Sequence, residues 1–200
     1  HKIISFSFNI EMVVRRVYWT KLFQYIFKKI QNKKTKKQKN IKKKINVDVL
    51  KLYLKKIGIK EGDILIVHSS FDPFKNSKIT PFDIIQLLLG LVGKEGTLVM
   101  PVIRDYSRFK DKFSISEKKI ENIEFEYNVR KSMVRTGIIP FYMMNMKDAV
   151  TSLFPLNTIT AIGSDANQMI AKELNDDLPT PNGKNSSWKY CTDKNAWVIS

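Results

Sequence analysis

His68, Ser69 and Ser70 stand side by side at the end of an apolar run, Ile64-Leu65-Ile66-Val67. An imidazole exchanges protons near neutral pH. Two adjacent hydroxyls, with the free backbone N–H groups of a strand-to-helix junction, suit an anion such as a phosphate. The run that precedes them lacks polar alternation, which predicts a strand buried on both faces, as in a parallel sheet. Ligands of open α/β sheets bind just beyond the carboxyl ends of such strands. Each residue also has a plainer reading. His68 can be a satisfied packing residue at the strand end, although it is the one well-placed imidazole, since the only other histidine is His1. Ser69 and Ser70 can simply cap their own loop.

The elements that must hold this junction follow a regular rhythm. Val47 to Ile57 predicts a helix with Val49, Leu50, Leu54 and Ile57 on one side and Gly58 at its end. After the first strand, Pro81 opens a helix over Ile84 to Leu91. A turn at Gly93 to Gly96 leads into a second buried strand, Thr97 to Met100, ended by Pro101. This is a βαβ pattern with a right-handed crossover. Residues 104–126 are polar and aperiodic and predict a long surface loop. Arg135 to Asn145 predicts a helix interrupted by Pro140. Thr158 to Gly163 reads as a strand, Ala166 to Leu174 as a helix, 176–187 as a loop and Ala196 to Ser200 as the start of another strand. An element left open there predicts that the reading frame continues past Ser200. The absence of an initial Met places residues 1–11 upstream of a start at Met12, or marks a fragment. The fold class is therefore α/β.

Charge divides the chain in two. Of 35 Lys and Arg, residues 1–48 hold 14 against only Glu11 and Asp48, a net of +12. Residues 49–200 hold 21 against 17 acidic residues, a net of +4. The basic excess belongs to an arm, 1–45, and not to the body, 46–200, which argues against nucleic acid as a partner. Residues 12–30 predict an amphipathic helix with Trp19 and several Phe, followed by a lysine-rich linker. Such an arm can solubilise, or can lie peripherally on an anionic membrane through 12–45. No apolar run reaches the length of a membrane span, and residues 1–6 lack the order of a signal peptide. Cys191 is the only cysteine, so no intrachain disulfide forms, which fits a reducing, cytoplasmic setting.

Several segments together carry a resemblance. They are Gly62-Asp63 through Val67-His68-Ser69-Ser70; Gly93-Lys94-Glu95-Gly96-Thr97-Leu98-Val99-Met100-Pro101; Tyr127-Asn128-Val129-Arg130-Lys131-Ser132-Met133-Val134-Arg135-Thr136-Gly137; and Thr151-Ser152-Leu153-Phe154-Pro155-Leu156-Asn157-Thr158 with Ala161-Ile162-Gly163. A looser fifth is Gly183 to Tyr190. In this order the body resembles the aminoglycoside 3-N-acetyltransferase family. The resemblance implies a three-layer α/β/α sandwich with a mostly parallel sheet, preceded here by the basic helical arm. It implies acetyl-CoA as co-substrate, no metal, and a small-molecule amine acceptor, an aminoglycoside or other amino sugar. It places Ser69 and Ser70, with Ser186 or Ser187, on coenzyme A. A polycationic acceptor calls for acidic residues, and Glu126 and Asp177, with their neighbours Glu124 and Asp176, are the candidates. Two departures matter. Phe154-Pro155 stands where the family usually has His-Pro, and the family's later catalytic histidine segment has no counterpart within 1–200. The catalytic base is thus unassigned, with His68 its candidate, and the 200-residue chain is expected to be inactive on aminoglycosides. The alternatives are a non-catalytic homologue or a membrane-surface protein of polysaccharide assembly.

Overall fold

The computed structural model describes residues 46–75, 77–104, 127–129, 131, 133–175 and 179–200. The basic arm and most of the 104–126 segment lie outside them.

Helix α1, Val47–Lys56, starts where the Asn46 side chain accepts the Asp48 N–H at 2.8 Å. Its buried side is Val47, Leu50 and Leu54. Val49 and Ile57, expected on that side, are 61% and 40% exposed. Helix α2, Pro81–Val92, has a complete capping box: Thr80 Oγ1 accepts the Asp83 N–H and the Asp83 carboxylate accepts the Thr80 N–H. Pro81 sits in the first turn, where a missing N–H costs nothing, and Gly93 ends the helix at φ +70.

Strands β1 (Ile64–Val67), β2 (Thr97–Pro101), β3 (Val150–Thr151), β4 (Ile159–Gly163) and β5 (Trp197–Ile199) form one sheet in the order β3-β4-β2-β1-β5. β1 pairs in parallel with β2 and β5, whereas β4 is antiparallel to both β2 and β3. Four strands therefore share a direction and β4 alone opposes them, so the sheet is mostly parallel. Antiparallel pairing brings Gly163 opposite Thr97. There a Cβ on Gly163 would lie 2.2 Å from the Gly96 carbonyl oxygen, and φ is +140, so only glycine fits.

Helix α3, Ile138–Met144, begins three residues later than the sequence pattern predicts, and Pro140 falls in its first turn and so does not interrupt it. Helix α4, Ala166–Ile170, ends before Leu174, and the last residues continue as turns. Helix α5, Ser187–Asp193, falls where the sequence pattern predicts no helix.

Strand alternation builds two apolar layers. Leu65, Val67, Leu98, Met100 and Ile162 point to one side, where α1, α2 and α3 add Leu54, Ile85, Leu88, Ile139 and Met143. Ile64, Ile66, Val99, Ile159 and Ala161 point to the other, where α4 and α5 add Ala166, Met169 and Cys191. This is the α/β/α sandwich expected, and it explains why β1 and β2 are apolar throughout. Each Leu or Ile so buried contributes about 1.5–3 kcal/mol.

Candidate functional site

The carboxyl ends of β1 and β2 are built out by three loops. The first is His68-Ser69-Ser70, leaving β1. Its start is fixed by the His68 N–H, which donates to Ile199 O of β5 at 2.8 Å. The second is Arg135-Thr136-Gly137, leading into α3. It hangs on the end of β2: the Arg135 N–H donates to Ile103 O at 2.8 Å and Thr136 Oγ1 donates to Pro101 O at 2.7 Å. The third is a single turn of 3₁₀ helix, Asp72–Phe74, before α2. Between them lies a cleft of about 610 Å³ lined by Ser69, Ser70, Lys75, Arg135, Thr136 and Tyr142, among others. It opens where parallel strands place ligands.

The two serines differ. Ser69 Oγ is buried and has no hydrogen-bond partner among the described residues. Ser70 Oγ accepts the Asp72 N–H at 3.3 Å, which caps the 3₁₀ turn. Ser69 is thus the hydroxyl with capacity to spare, and Ser70 is partly committed to its loop. Lys75, paired with Asp72 at 2.6 Å, and the exposed Arg135 supply cationic charge at the rim. Asp83, at the foot of α2, is held below the usual carboxylate range by the Thr80 backbone N–H and then by its hydroxyl. A buried donor beside two cations suits an anionic, phosphate-bearing ligand.

His68 is exposed, so the packing reading of it does not hold. Its ring stacks with the indole of Trp188 at a centroid distance of 6.5 Å and an interplanar angle of 25°. Trp188 belongs to α5, whose cap is Ser186: its hydroxyl accepts the Lys189 N–H at 3.1 Å. Ser187, the first residue of α5, is buried. Ser186 and Ser187 do not line the Ser69 cleft. They face Phe154, Asn157 and Glu173 instead, and their neighbour Trp188 stacks on His68 at the β1 junction.

The segment 152–158 is tied down at several points. Tyr127 Oη donates to Ser152 O at 2.8 Å, Thr158 Oγ1 donates to Pro155 O at 3.1 Å, and Trp188 Nε1 donates to Asn157 O at 2.7 Å. Phe154 is half-buried there. Its ring offers no proton acceptor. Glu124, Glu126, Asp176 and Asp177 lie outside the described residues. Cys191 is buried beside Met169, and desolvation pushes its thiol up to about 11, so it is inert at neutral pH. Among the described residues no group of three His, Cys, Asp or Glu is placed to hold a metal, and no helix is long and apolar enough to cross a membrane.

Three residues of the site carry weaker signals in the sequence. Arg135 reads as part of a motif and as the start of a helix, and Lys75 gives no signal, because a lone cation in a turn carries no periodicity. Glu173 had a usable signal. It falls seven positions after Ala166 and four after Met169, on the apolar face of the predicted helix, where a carboxylate needs a reason.

Comparison with known proteins gives three findings. A family model for aminoglycoside 3-N-acetyltransferase matches residues 66–200. No curated protein matches the chain. Solved structures share its fold. AAC-IIIb in binary complex with CoASH is 19% identical with a TM-score of 0.62, over 78% of this chain and 59% of that one. The apoenzyme of the aminoglycoside acetyltransferase AAC(3)-IVa is 21% identical with a TM-score of 0.59, over 80% and 54%. YokD from Bacillus subtilis is 22% identical with a TM-score of 0.55, over 70% and 60%. The chain thus spans little more than half the length of these proteins.

Proposed function

Because the chain belongs to the aminoglycoside 3-N-acetyltransferase family, we propose that it binds acetyl-CoA and serves acetyl transfer to an amino group of an aminoglycoside or other amino sugar. The observation that carries this is Ser69: a buried hydroxyl without a partner among the described residues, at a strand's carboxyl end, in a cleft with Arg135 and Lys75. Acetyl-CoA supplies a thioester carbonyl, from which an unprotonated amine displaces the coenzyme A thiolate. Ser69 donates to the cofactor's anionic or amide groups, Arg135 and Lys75 balance its phosphates, and Ser70 holds the loop that presents Ser69. Ser186 shapes the neighbouring wall by capping α5, so that Ser187 is buried and Trp188 faces His68. His68, the only histidine among the described residues, is the candidate acceptor of the amine proton. Glu126 and Asp177 are kept as candidates for the acceptor's ammonium groups. The setting we propose is cytoplasmic, with residues 12–45 able to hold the enzyme to an anionic membrane surface.

One observation favours a second reading. Phe154 stands where the family usually has histidine, and its ring accepts no proton. On that reading the chain is a homologue that binds coenzyme A without transferring the acetyl group. Two measurements separate the readings: calorimetric titration of coenzyme A, and acetyl-CoA consumption with kanamycin-like and gentamicin-like acceptors. Binding with turnover supports the enzyme and makes His68 the base to mutate. Binding without turnover supports the second reading, and no binding removes both.

A further inference from the structure

Glu173 is a buried carboxylate, 5% exposed, that the reaction described above does not use. Ser152 Oγ donates to its Oε2 at 2.7 Å, and Ser152 itself is 1% exposed. The same hydroxyl oxygen accepts the Phe154 N–H at 3.2 Å. Ser152 is therefore a relay: its one proton goes to the charged Glu173 oxygen at 2.7 Å over the Phe154 carbonyl at 3.4 Å, and its lone pair serves the backbone of the turn. That turn runs on to Asn157, whose left-handed φ of 51 precedes the carbonyl that accepts Trp188 Nε1–H at 2.7 Å. Trp188 in turn stacks on His68, next to Ser69. A continuous chain of contacts thus joins Glu173 on the turn after α4 to the cleft at the end of β1.

From this chain we propose that Glu173 is a positioning residue: through Ser152 it sets the 152–158 turn, and through Asn157 and Trp188 it sets His68, the residue that leads into Ser69 and the coenzyme A cleft. A carboxylate suits this position better than an apolar residue for a stated reason. A charged acceptor fixes the hydroxyl's orientation, and only one orientation leaves the serine lone pair free for the Phe154 N–H. The effect on coenzyme A rests on the cofactor reading given above, whereas the effect on Trp188 does not.

The test uses the full chain with Glu173→Gln and Ser152→Ala, both compared with Trp188→Phe. The first readout is the indole N–H of Trp188, its proton resonance and hydrogen-exchange rate, assigned by its loss in Trp188→Phe. Glu173→Gln keeps an acceptor and removes the charge, so it should shift the resonance and speed exchange modestly. Ser152→Ala cuts both links and should do so more. Wild-type resonance and exchange in both variants, whatever their melting temperatures, overturn the proposal. The second readout is coenzyme A affinity. Glu173→Gln should weaken it about tenfold, within the range of couplings through a shared hydrogen-bond network. In the Trp188→Phe background the same change should have no further effect. A full additive loss there overturns the route through Trp188. If the wild type binds no coenzyme A, the cofactor reading fails while the indole readout still decides on Glu173.

Discussion

Replacing Ser69 by alanine should move stability and binding in opposite directions. In the free protein Ser69 Oγ is buried and unpartnered among the described residues, and a buried hydroxyl without a hydrogen bond costs about 1–3 kcal/mol. Alanine removes that cost and leaves the backbone of the β1 junction in place, since the His68 N–H remains tied to Ile199 O. For a chain of this size each kcal/mol raises the melting temperature by about 2–4 °C. Ser69→Ala should therefore melt a few degrees higher than the wild type. On the proposed cofactor reading the same hydroxyl meets a charged or amide acceptor in the complex, and such a bond contributes about 1.5–3 kcal/mol. Its loss should weaken coenzyme A binding by about 10- to 150-fold. The assay is calorimetric titration of coenzyme A alongside thermal melting of the free proteins. Ser70→Ala is the control. Ser70 caps the 3₁₀ turn, so its removal should lower the melting temperature and affect binding less. A lower melting temperature for Ser69→Ala, with unchanged affinity, would refute the assignment of Ser69 as a ligand donor held in reserve.

Three further outcomes follow from the same structure. Ser186→Ala removes the cap of α5 and should destabilise the fold by about 1 kcal/mol in urea titrations, which distinguishes a capping serine from one in direct contact with the cofactor. Burial raises the Cys191 thiol from 9.0 to about 11. The unfolded chain loses this proton first as pH rises, so stability is fully present below pH 9 and should fall between about pH 9 and 11, with the fall absent in Cys191→Ala. Removing residues 1–45 should leave the melting of the remaining chain nearly unchanged and abolish salt-sensitive binding to anionic vesicles; a large loss of stability would show the arm to be packed into the fold.

The parts of this fold that were legible in the sequence are those where one physical signal dominates. β1 and β2 declare themselves because both faces are buried, leaving no room for polar residues. α2 declares itself through Thr80, Pro81 and Asp83. In α1 the sequence was ambiguous: Val49, Leu52 and Tyr53 make a second apolar stripe on ten residues, and only tertiary packing selects the Leu50 and Leu54 side. α5 was illegible because Ser187 to Asp193 has weak intrinsic helix propensity and depends on the Ser186 cap and the burial of Cys191. The reversed direction of β4 leaves no trace in a run of apolar residues, which reads the same in either sense. Ser69 and Ser70 could be found from the strand that precedes them, but which of the two is free could not. That depends on a 3₁₀ turn whose N–H claims only Ser70.

The position of β1 in the sheet bears on how the molecule assembles during synthesis. Ile64 pairs with Thr97, 33 positions on, and Leu65 with Trp197, 132 positions on. A ribosome adds about 5–20 residues per second. The β1–α2–β2 unit therefore emerges several seconds before the strand that covers the other side of β1. During that interval a four-residue apolar strand presents an open edge, the kind of surface that recruits strands from other chains. The His68 N–H also waits for Ile199, so the β1 junction closes only once β5 has been made, and nascent chains arrested between β2 and β5 should be more dependent on chaperones than those arrested after β5.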